Sequence, residues 1–392
     1  MVPARPETGT DPTRPVVGAD SAPGRTRPTV GTDVVHVVLP NDIDDPATPS
    51  GGNVYDRRLC QALDGAGWSV REHPVSGGWP RPGADERAGL AGLLDGLPDD
   101  AVVLLDGLVA STVPEVLLPR AHRLRLVVLL HMPLDAEDPA LGRAERTTLA
   151  GVAAVVTTSD WTRRHLLDRY ALPADRVHVA TPGVDPAPLT VGTDTGTRLL
   201  CVAALTPNKG HDVLVTALAS VADLSWSCRC VGSTGRDPAF VARLRRQVDA
   251  DNLADRVHLP GPLTGAELAA AYAGTDLLVL ASRGETYGMV VTEALARGIP
   301  VLVTAAGGLP EAVGRTPDGR LPGLLVPPDD PTALAAALRH WLGDAGLRRA
   351  LRQAARQRRD ALTDWTVTAA RVADVLTRVR AAGPVGRPLS PA

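Results

Sequence analysis

Of the 41 basic side chains in this 392-residue chain, every one is arginine except Lys209. Lys209 stands in Val202 to Asp212, VAALTPNKGHD, directly after a strand-like run and before a helix-like stretch, His211 to Ser220. A helix start offers free backbone N–H groups, and a compact ammonium beside them suits a phosphate. The plainer alternative is an exposed lysine near a helix start. A cation there opposes the macrodipole, however, so nothing local favours it. Residues Arg283 to Glu293, RGETYGMVVTE, hold two glutamates eight positions apart, Glu285 in a loop and Glu293 in the helix Met289 to Arg297. The chain has only ten glutamates, and spacing alone carries little weight. Context adds to it: the Gly284 and Gly288 turn leaves the N–H groups of Gly288, Met289 and Val290 free for an anion. Glu293 would then meet vicinal hydroxyls such as those of a ribose, and Glu285 hydroxyls on a transferred group. The alternative is a pair of glutamates on a solvated face.

Three further candidates lie in the first half of the chain. Ser50 to Asp56, SGGNVYD, follows a first strand, and Gly51 and Gly52 let backbone approach a ligand closely, or simply turn the chain into a helix. His131, in HMP after the strand Leu124 to Leu130, sits where ligands meet open sheets, although a histidine at a strand end also serves structural roles. Asp106, in LLDGL, would bind an acceptor hydroxyl or form an Asp-Gly turn.

The elements that must position these residues follow from composition. Aromatic residues make up 3% of the chain, against 38 Gly and 35 Pro, so the core must be built from Val, Leu and Ala, as suits parallel strands covered by helices. Runs at Val34–Leu39, Ala101–Leu105, Leu124–Leu130, Ala153–Thr158 and Arg176–Ala180 alternate with amphipathic stretches such as Val54–Gly65 and Trp161–Tyr170. After Pro182 to Thr197 the alternation restarts with Arg198–Ala203, Trp226–Val231, Val257–Leu259, Leu277–Leu280, Val301–Thr304 and Leu324–Val326. The expectation is an α/β chain with two doubly wound, Rossmann-like parallel-sheet domains facing across a cleft, followed by helices at Pro331–Leu342, Gly346–Leu362 and Val367–Arg380. Residues 1–31, with six prolines and alternating charge, read as a disordered tail, and 382–392 as another.

Several functions are excluded. No apolar run approaches membrane-spanning length. Residues 1–31 hold no apolar core of a secretory signal. The net charge of −3 provides no basic face for nucleic acid. Cys60, Cys201, Cys228 and Cys230 lack C-x-x-C spacing, so a reduced, cytoplasmic protein without a metal site is expected. No G-x-G-x-x-G follows the first strand, and Lys209 is followed by Gly210 and His211 rather than by the Ser or Thr of a P-loop.

With these residues in place, the chain resembles the retaining glycosyltransferases of family 4, which have the GT-B fold. The resemblance is carried by the E-x7-E element, VAALTPNKG, TSDWT at Thr158–Thr162, RVHVATPGVD at Arg176–Asp185 and VLVTAAGGLPE at Val301–Glu311, in that family's order between about Val34 and Leu376. It implies transfer of a sugar from a nucleotide diphosphate sugar with retained configuration and no metal or other cofactor. It further implies an acceptor-side domain over 32–188 with the helix 365–381 packing back on it, and a donor-binding domain over 193–364. Lys209, Glu285 and His131 resemble the catalytic set. Gly52, Lys209, Leu263, Glu285, Tyr287, Gly288, Met289, Val290 and Glu293 resemble the donor site, and Gly51, Asn53, Tyr55 and Asp106 the acceptor side. One departure stands out: where the family often reads G-R-L, this chain has Ala203, Ala204 and Leu205, which leaves Lys209 as the one identifiable cation, with Arg283 as the candidate to compensate. Between Thr32 and Thr190, 14 Arg stand against 22 Asp plus Glu, which disfavours anionic lipid and favours a small soluble acceptor. The donor base, whether of UDP-, GDP- or ADP-sugar, and the oligomeric state are left open. A GT-B scaffold that binds a nucleotide sugar without turning it over is the alternative, for which Ala204 is the support.

Overall fold

The computed structural model describes residues 33–46, 49–135 and 138–382, so the expected tails, 1–31 and 382–392, fall outside the described residues, save Ala382. Two six-stranded sheets form the frame, and every strand pairing in both is parallel.

The first sheet consists of β1 (Asp33–Pro40), β2 (Trp68–Val75), β3 (Val102–Asp106), β4 (Arg125–Leu130), β5 (Ala154–Thr157) and β6 (Val177–Val179), in the order β2-β1-β3-β4-β5-β6. Its strands β3, β4 and β5 are buried along their whole length, which is why they read as apolar runs rich in Val and Leu. β2 has no such run. Arg71 and Glu72 lie in its exposed middle and Pro74 near its end, and only Trp68 and Val75 are buried. It is an edge strand beside β1, in register from Asp33↔Trp68 to Pro40↔Val75, and its polar side blunts the edge. For that reason the search for apolar runs passes over it.

The second sheet consists of β7 (Arg198–Val202), β8 (Ser227–Val231), β9 (Val257–Gly261), β10 (Leu277–Leu280), β11 (Val301–Thr304) and β12 (Gly323–Val326), in the order β12-β11-β10-β7-β8-β9. Its core is aliphatic, with Leu278, Val279, Leu302 and Val303 fully buried against Leu214, Leu218, Val291 and Leu295 of the covering helices.

The chain crosses between the sheets twice. After the helices Pro331–Gly343 and Ala345–Arg359 it returns, and the last helix, Trp365–Ala382, packs on the first sheet. Trp365, Ala369, Val372, Leu376 and Val379 share a core with Val35, Tyr55, Leu59 and Leu63. The return is tight: Val184 N–H donates to Thr363 O at 3.0 Å, and a Cβ on Gly183 would stand 2.4 Å from the Trp365 nitrogen.

Because Leu376 is fully buried, Leu376→Ala should cost about 3 kcal/mol of stability. Urea unfolding followed through the buried Trp68, which belongs to the same cluster, checks this.

Candidate active site

The carboxyl ends of both sheets carry the loops in which the sequence places its candidates. After β7, Pro207–Lys209 forms one turn of 3-10 helix, and Gly210 follows at φ 64°. A Cβ on Gly210 would stand 2.0 Å from Ala281 O, so the approach of this loop to the end of β10 requires glycine. The two loops are then joined. Asn208 Nδ2 donates to Gly284 O at 3.0 Å, and Arg283 N–H donates to Asn208 O at 2.8 Å. Across this junction Lys209 Nζ donates to Glu285 Oε1 at 2.7 Å, and Ser282 Oγ donates to the same oxygen at 2.9 Å. The sequence candidates Lys209 and Glu285 are therefore direct partners. The Glu285 carboxylate holds the Lys209 ammonium.

Arg283 does something other than expected. Its Nη1 and Nη2 donate to Asp212 at 3.0 and 2.9 Å, its Nε donates to Asp329 at 2.6 Å, and Nη1 also donates to Pro207 O. All three nitrogens are thus engaged, tying the Lys209 turn to Asp212 and Asp329 rather than standing free in the place of the missing cation at Ala204.

The segment Glu285–Gly288 lies on Ala306–Gly308. Gly308 N–H donates to Glu285 O at 2.8 Å, and a Cβ on Gly307, at φ 58°, would sit 1.9 Å from that oxygen. Gly288, at φ 97°, turns the chain into the helix Met289–Ala296, whose first turn presents the half-buried Met289 and Val290. Tyr287 is buried in the second core, and burial pushes its phenol up to about 12. Leu263, in the loop after β9, packs against the edge of the same core.

Glu293 is half-buried on that helix and accepts a hydrogen bond from the Tyr272 hydroxyl at 2.8 Å. Burial raises its carboxyl above the ordinary range, and the Tyr272 hydrogen bond opposes the rise. Tyr272 is itself packed under the Arg297 guanidinium, 4.4 Å from the ring centroid. The sequence reading missed Tyr272. Its signal was its rarity, as one of four tyrosines in the chain.

The first half contributes Gly51, Gly52 and His131. Ser50 caps the helix Gly51–Leu63 by accepting from Asn53 N–H at 3.1 Å, and the Asn53 amide reaches Asp42 O at 3.4 Å. A Cβ on Gly51 would lie 3.7 Å from Met289 Sδ, and one on Gly52 would lie 3.2 Å from His131 Cδ2. Met289 packs against the cores of both sheets, so the glycine pair of one half meets the helix start of the other. A second bridge lies nearby: Asp160 N–H and Trp161 N–H donate to the Glu311 carboxylate at 2.9 and 3.3 Å, and Glu311 thereby caps a helix of the first half.

Two acceptor-side expectations change. Tyr55 is fully buried, donates its hydroxyl to Ala180 O at 2.8 Å and meets Trp365 edge-on, so its side chain belongs to the core and not to an acceptor surface. Asp106 is buried and caps the short helix Gly107–Ala110 by accepting from Leu108 N–H at 2.5 Å. It also lies 3.6 Å from His131 Nε2, whose nearest partner is Asp56 at 2.7 Å.

Among the described residues, two clusters bring side-chain nitrogen, oxygen or sulfur atoms of three residues within 4.8 Å of one another: Asp56, Asp106 and His131, and Cys201, His211 and Cys230. The second arises because Cys201 and Cys230 are register partners on β7 and β8, a proximity the sequence does not show. It has three ligands where a closed zinc site takes four. His211 Nδ1 also lacks the acceptor that a metal-bound histidine carries, so the group reads as a buried thiol network.

Profiles described as "Glycosyl transferases group 1" and "Glycosyltransferase Family 4" match residues 192–358 and 107–188, one on each half of this cleft. Each half of the chain thus matches a glycosyltransferase family, the first half family 4. Among its relatives are D-inositol 3-phosphate glycosyltransferases of Jonesia denitrificans, 32% identical over 64% of this chain, and Kineococcus radiotolerans, 34% identical over 62%. The chain spans 63% and 61% of the length of these two curated relatives. Among solved structures, sucrose-phosphate synthase from Thermosynechococcus elongatus superposes with TM-score 0.73 at 24% identity, over 90% of this chain and 100% of that one. Anabaena HepE in complex with UDP and glucose superposes with TM-score 0.72 at 17% identity, over 88% and 100%. The fold of the chain is GT-B.

Gly307→Ala combines a left-handed backbone position with a collision at Glu285 O, and should cost about 1–3 kcal/mol. A lowered thermal unfolding midpoint checks it, with Gly65→Ala, which meets open space, as the control.

Proposed function

We propose that the chain transfers a glycosyl group from a nucleotide diphosphate sugar to a hydroxyl of a small soluble acceptor, with retained configuration and without a metal. The observation that carries this reading is the Lys209–Glu285 pair at 2.7 Å, set beside the free amides of Gly288, Met289 and Val290, with Glu293 further along the same helix. A diphosphate entering the cleft would take Lys209 from Glu285 and lie against the helix start, where the macrodipole favours negative charge. Glu285, released from the ammonium, would then meet hydroxyls of the transferred sugar, and Glu293 those of the ribose. In the transfer the anomeric carbon–phosphate oxygen bond breaks and a bond to the acceptor oxygen forms on the same face. The acceptor proton leaves with the departing diphosphate. Lys209 and the helix start oppose the charge that develops on that leaving group.

The UDP bound in HepE supports the donor class, and the inositol phosphate in the relatives' names supports a small acceptor. No helix among the described residues is long and apolar enough to cross a membrane. The second reading, a nucleotide-sugar binder without turnover, keeps one observation in its favour: with Ala204 in place of a second cation and Arg283 committed elsewhere, Lys209 is the single cation identified for the diphosphate. Release of nucleoside diphosphate from donor alone separates the two readings.

Lys209→Ala should weaken nucleoside diphosphate binding about tenfold to a hundredfold and abolish transfer in a folded protein. Glu293→Ala should likewise abolish transfer. A thermal-shift panel of nucleoside diphosphates and their sugars, followed by calorimetry, checks binding and identifies the base. Lys209→Arg retaining full activity would remove the special role of the ammonium. Tyr272→Phe should weaken diphosphate affinity about fivefold by removing the donor to Glu293. Because burial raises the Glu293 carboxyl and binding uses its ionised form, affinity should fall as pH is lowered, beginning at a higher pH than for an exposed glutamate. The fall should begin higher still in Tyr272→Phe.

A further inference from the structure

We infer that Asp56, a residue outside the cleft, is a positioning residue for His131: with Asp106 it forms a buried carboxyl pair that shares one proton, holds Nε2–H inward and leaves Nδ1 as the titrating atom at the cleft. The inference deepens the reading above and rests on it for the kinetic consequence, though not for the geometry.

Asp56 and Asp106 are 1% and 5% exposed, and their oxygens lie 2.7 and 3.6 Å from His131 Nε2. Neither has an arginine partner among the described residues. Arg57, next in the chain, is committed to Asp44 and Glu72. Asp56 Oδ2 is buried with no hydrogen-bond donor. Two carboxyl groups this close in a buried site do not both ionise, and a single proton between them supplies the donor that Asp56 Oδ2 lacks. Burial raises both groups, Asp56 to about 7, which agrees with that count.

The remaining negative charge of the pair requires a donor, and Nε2–H is the one in reach. His131 Nδ1 has no partner among the described residues and is not among the buried unsatisfied atoms, so it reaches solvent, while Gly52 lies against the opposite, Cδ2 edge of the ring. Burial lowers the imidazole and the negative pair opposes that, because an imidazolium over a singly ionised pair leaves the cluster neutral. The other groups facing the cluster do not titrate in the same range. Tyr55, edge-on to His131, is pushed up by burial and donates to Ala180 O, and Cys60 on the same helix is pushed up to about 12. Leu108 N–H donates to Asp106, Trp365 stacks behind Tyr55, and Arg371 of the last helix acts on Tyr55 from a distance. A cleft-facing Nδ1–H would donate to a hydroxyl of the transferred sugar, while Asp56 touches no substrate.

The test is 15N NMR of histidine-labelled full chain with kinetics on Asp56→Asn, His131→Gln serving to assign the resonance. In the wild type Nε2 should stay protonated from pH 5 to 9 while Nδ1 alone titrates. In Asp56→Asn, which keeps the shape but puts a neutral amide at the 2.7 Å position and leaves the pair's charge on Asp106 at 3.6 Å, that titration should move to lower pH. Its kcat should fall about tenfold or more with donor KM within about twofold, and the acid limb of the kcat profile should move down with the NMR titration. A wild-type spectrum showing the Nδ1–H neutral tautomer overturns the inference, as does Asp56→Asn with an unmoved titration and pH profile, whether or not its stability falls. Should Asp56→Asn fail to fold, the wild-type titration decides alone. Should the chain transfer no sugar at all, the NMR result still stands, so failure of the functional reading is distinguishable from failure of this one.

Discussion

Parallel pairing is the constraint on which the rest depends. Every strand of a parallel sheet ends on the same edge, so the loops that follow β1, β3 and β4 gather along one edge, as do those after β7, β10 and β11. Two such edges face each other here because Met289 packs against both cores and Glu311 reaches across to cap the helix that starts at Asp160. The last helix closes the arrangement by returning from the second sheet to the first. Each bridge satisfies groups that a lone half would leave exposed: apolar surface in two cases, helix N–H groups in the third.

Within the cleft, backbone lies directly on backbone. Gly210 meets Ala281 O and Gly307 meets Glu285 O at distances no side chain tolerates, and both glycines take left-handed conformations. These approaches put Lys209 and Glu285 within hydrogen-bond reach although 76 residues separate them. Arg283, tied to Asp212, Asp329 and Pro207, stiffens the same junction. The Lys209–Glu285 pair is partly exposed, so its own contribution to stability is small.

Much of the frame was legible because buried parallel strands write themselves as short Val and Leu runs, and five of the first sheet's strands and all of the second's stand where those runs stand. β2 was missed because an edge strand faces water and carries Arg71 and Glu72. Of the candidate site, Lys209, Glu285, Gly51, Gly52 and His131 were visible as polar or glycine residues following strands, and Glu293 by its spacing from Glu285. Tyr272 was not, since its role comes from a neighbouring helix. Tyr55 was misplaced because helical phase, not proximity to the glycines, decides which way its ring points.

The sequence by itself determined the two alternating strand-and-helix halves, the loops that carry polar chemistry and the singularity of Lys209. Only the tertiary structure decided partnership. It spent Arg283 on Asp212 and Asp329 and buried Tyr55 under Trp365. It also brought Asp56 from a helix and Asp106 from a strand end beneath His131, and joined Cys201 to Cys230 through strand register. The physical reason is that residue type and periodicity set what a segment buries, whereas hydrogen bonds and ion pairs between distant residues are short-ranged and exist only once packing has fixed their positions to within a few tenths of an ångström.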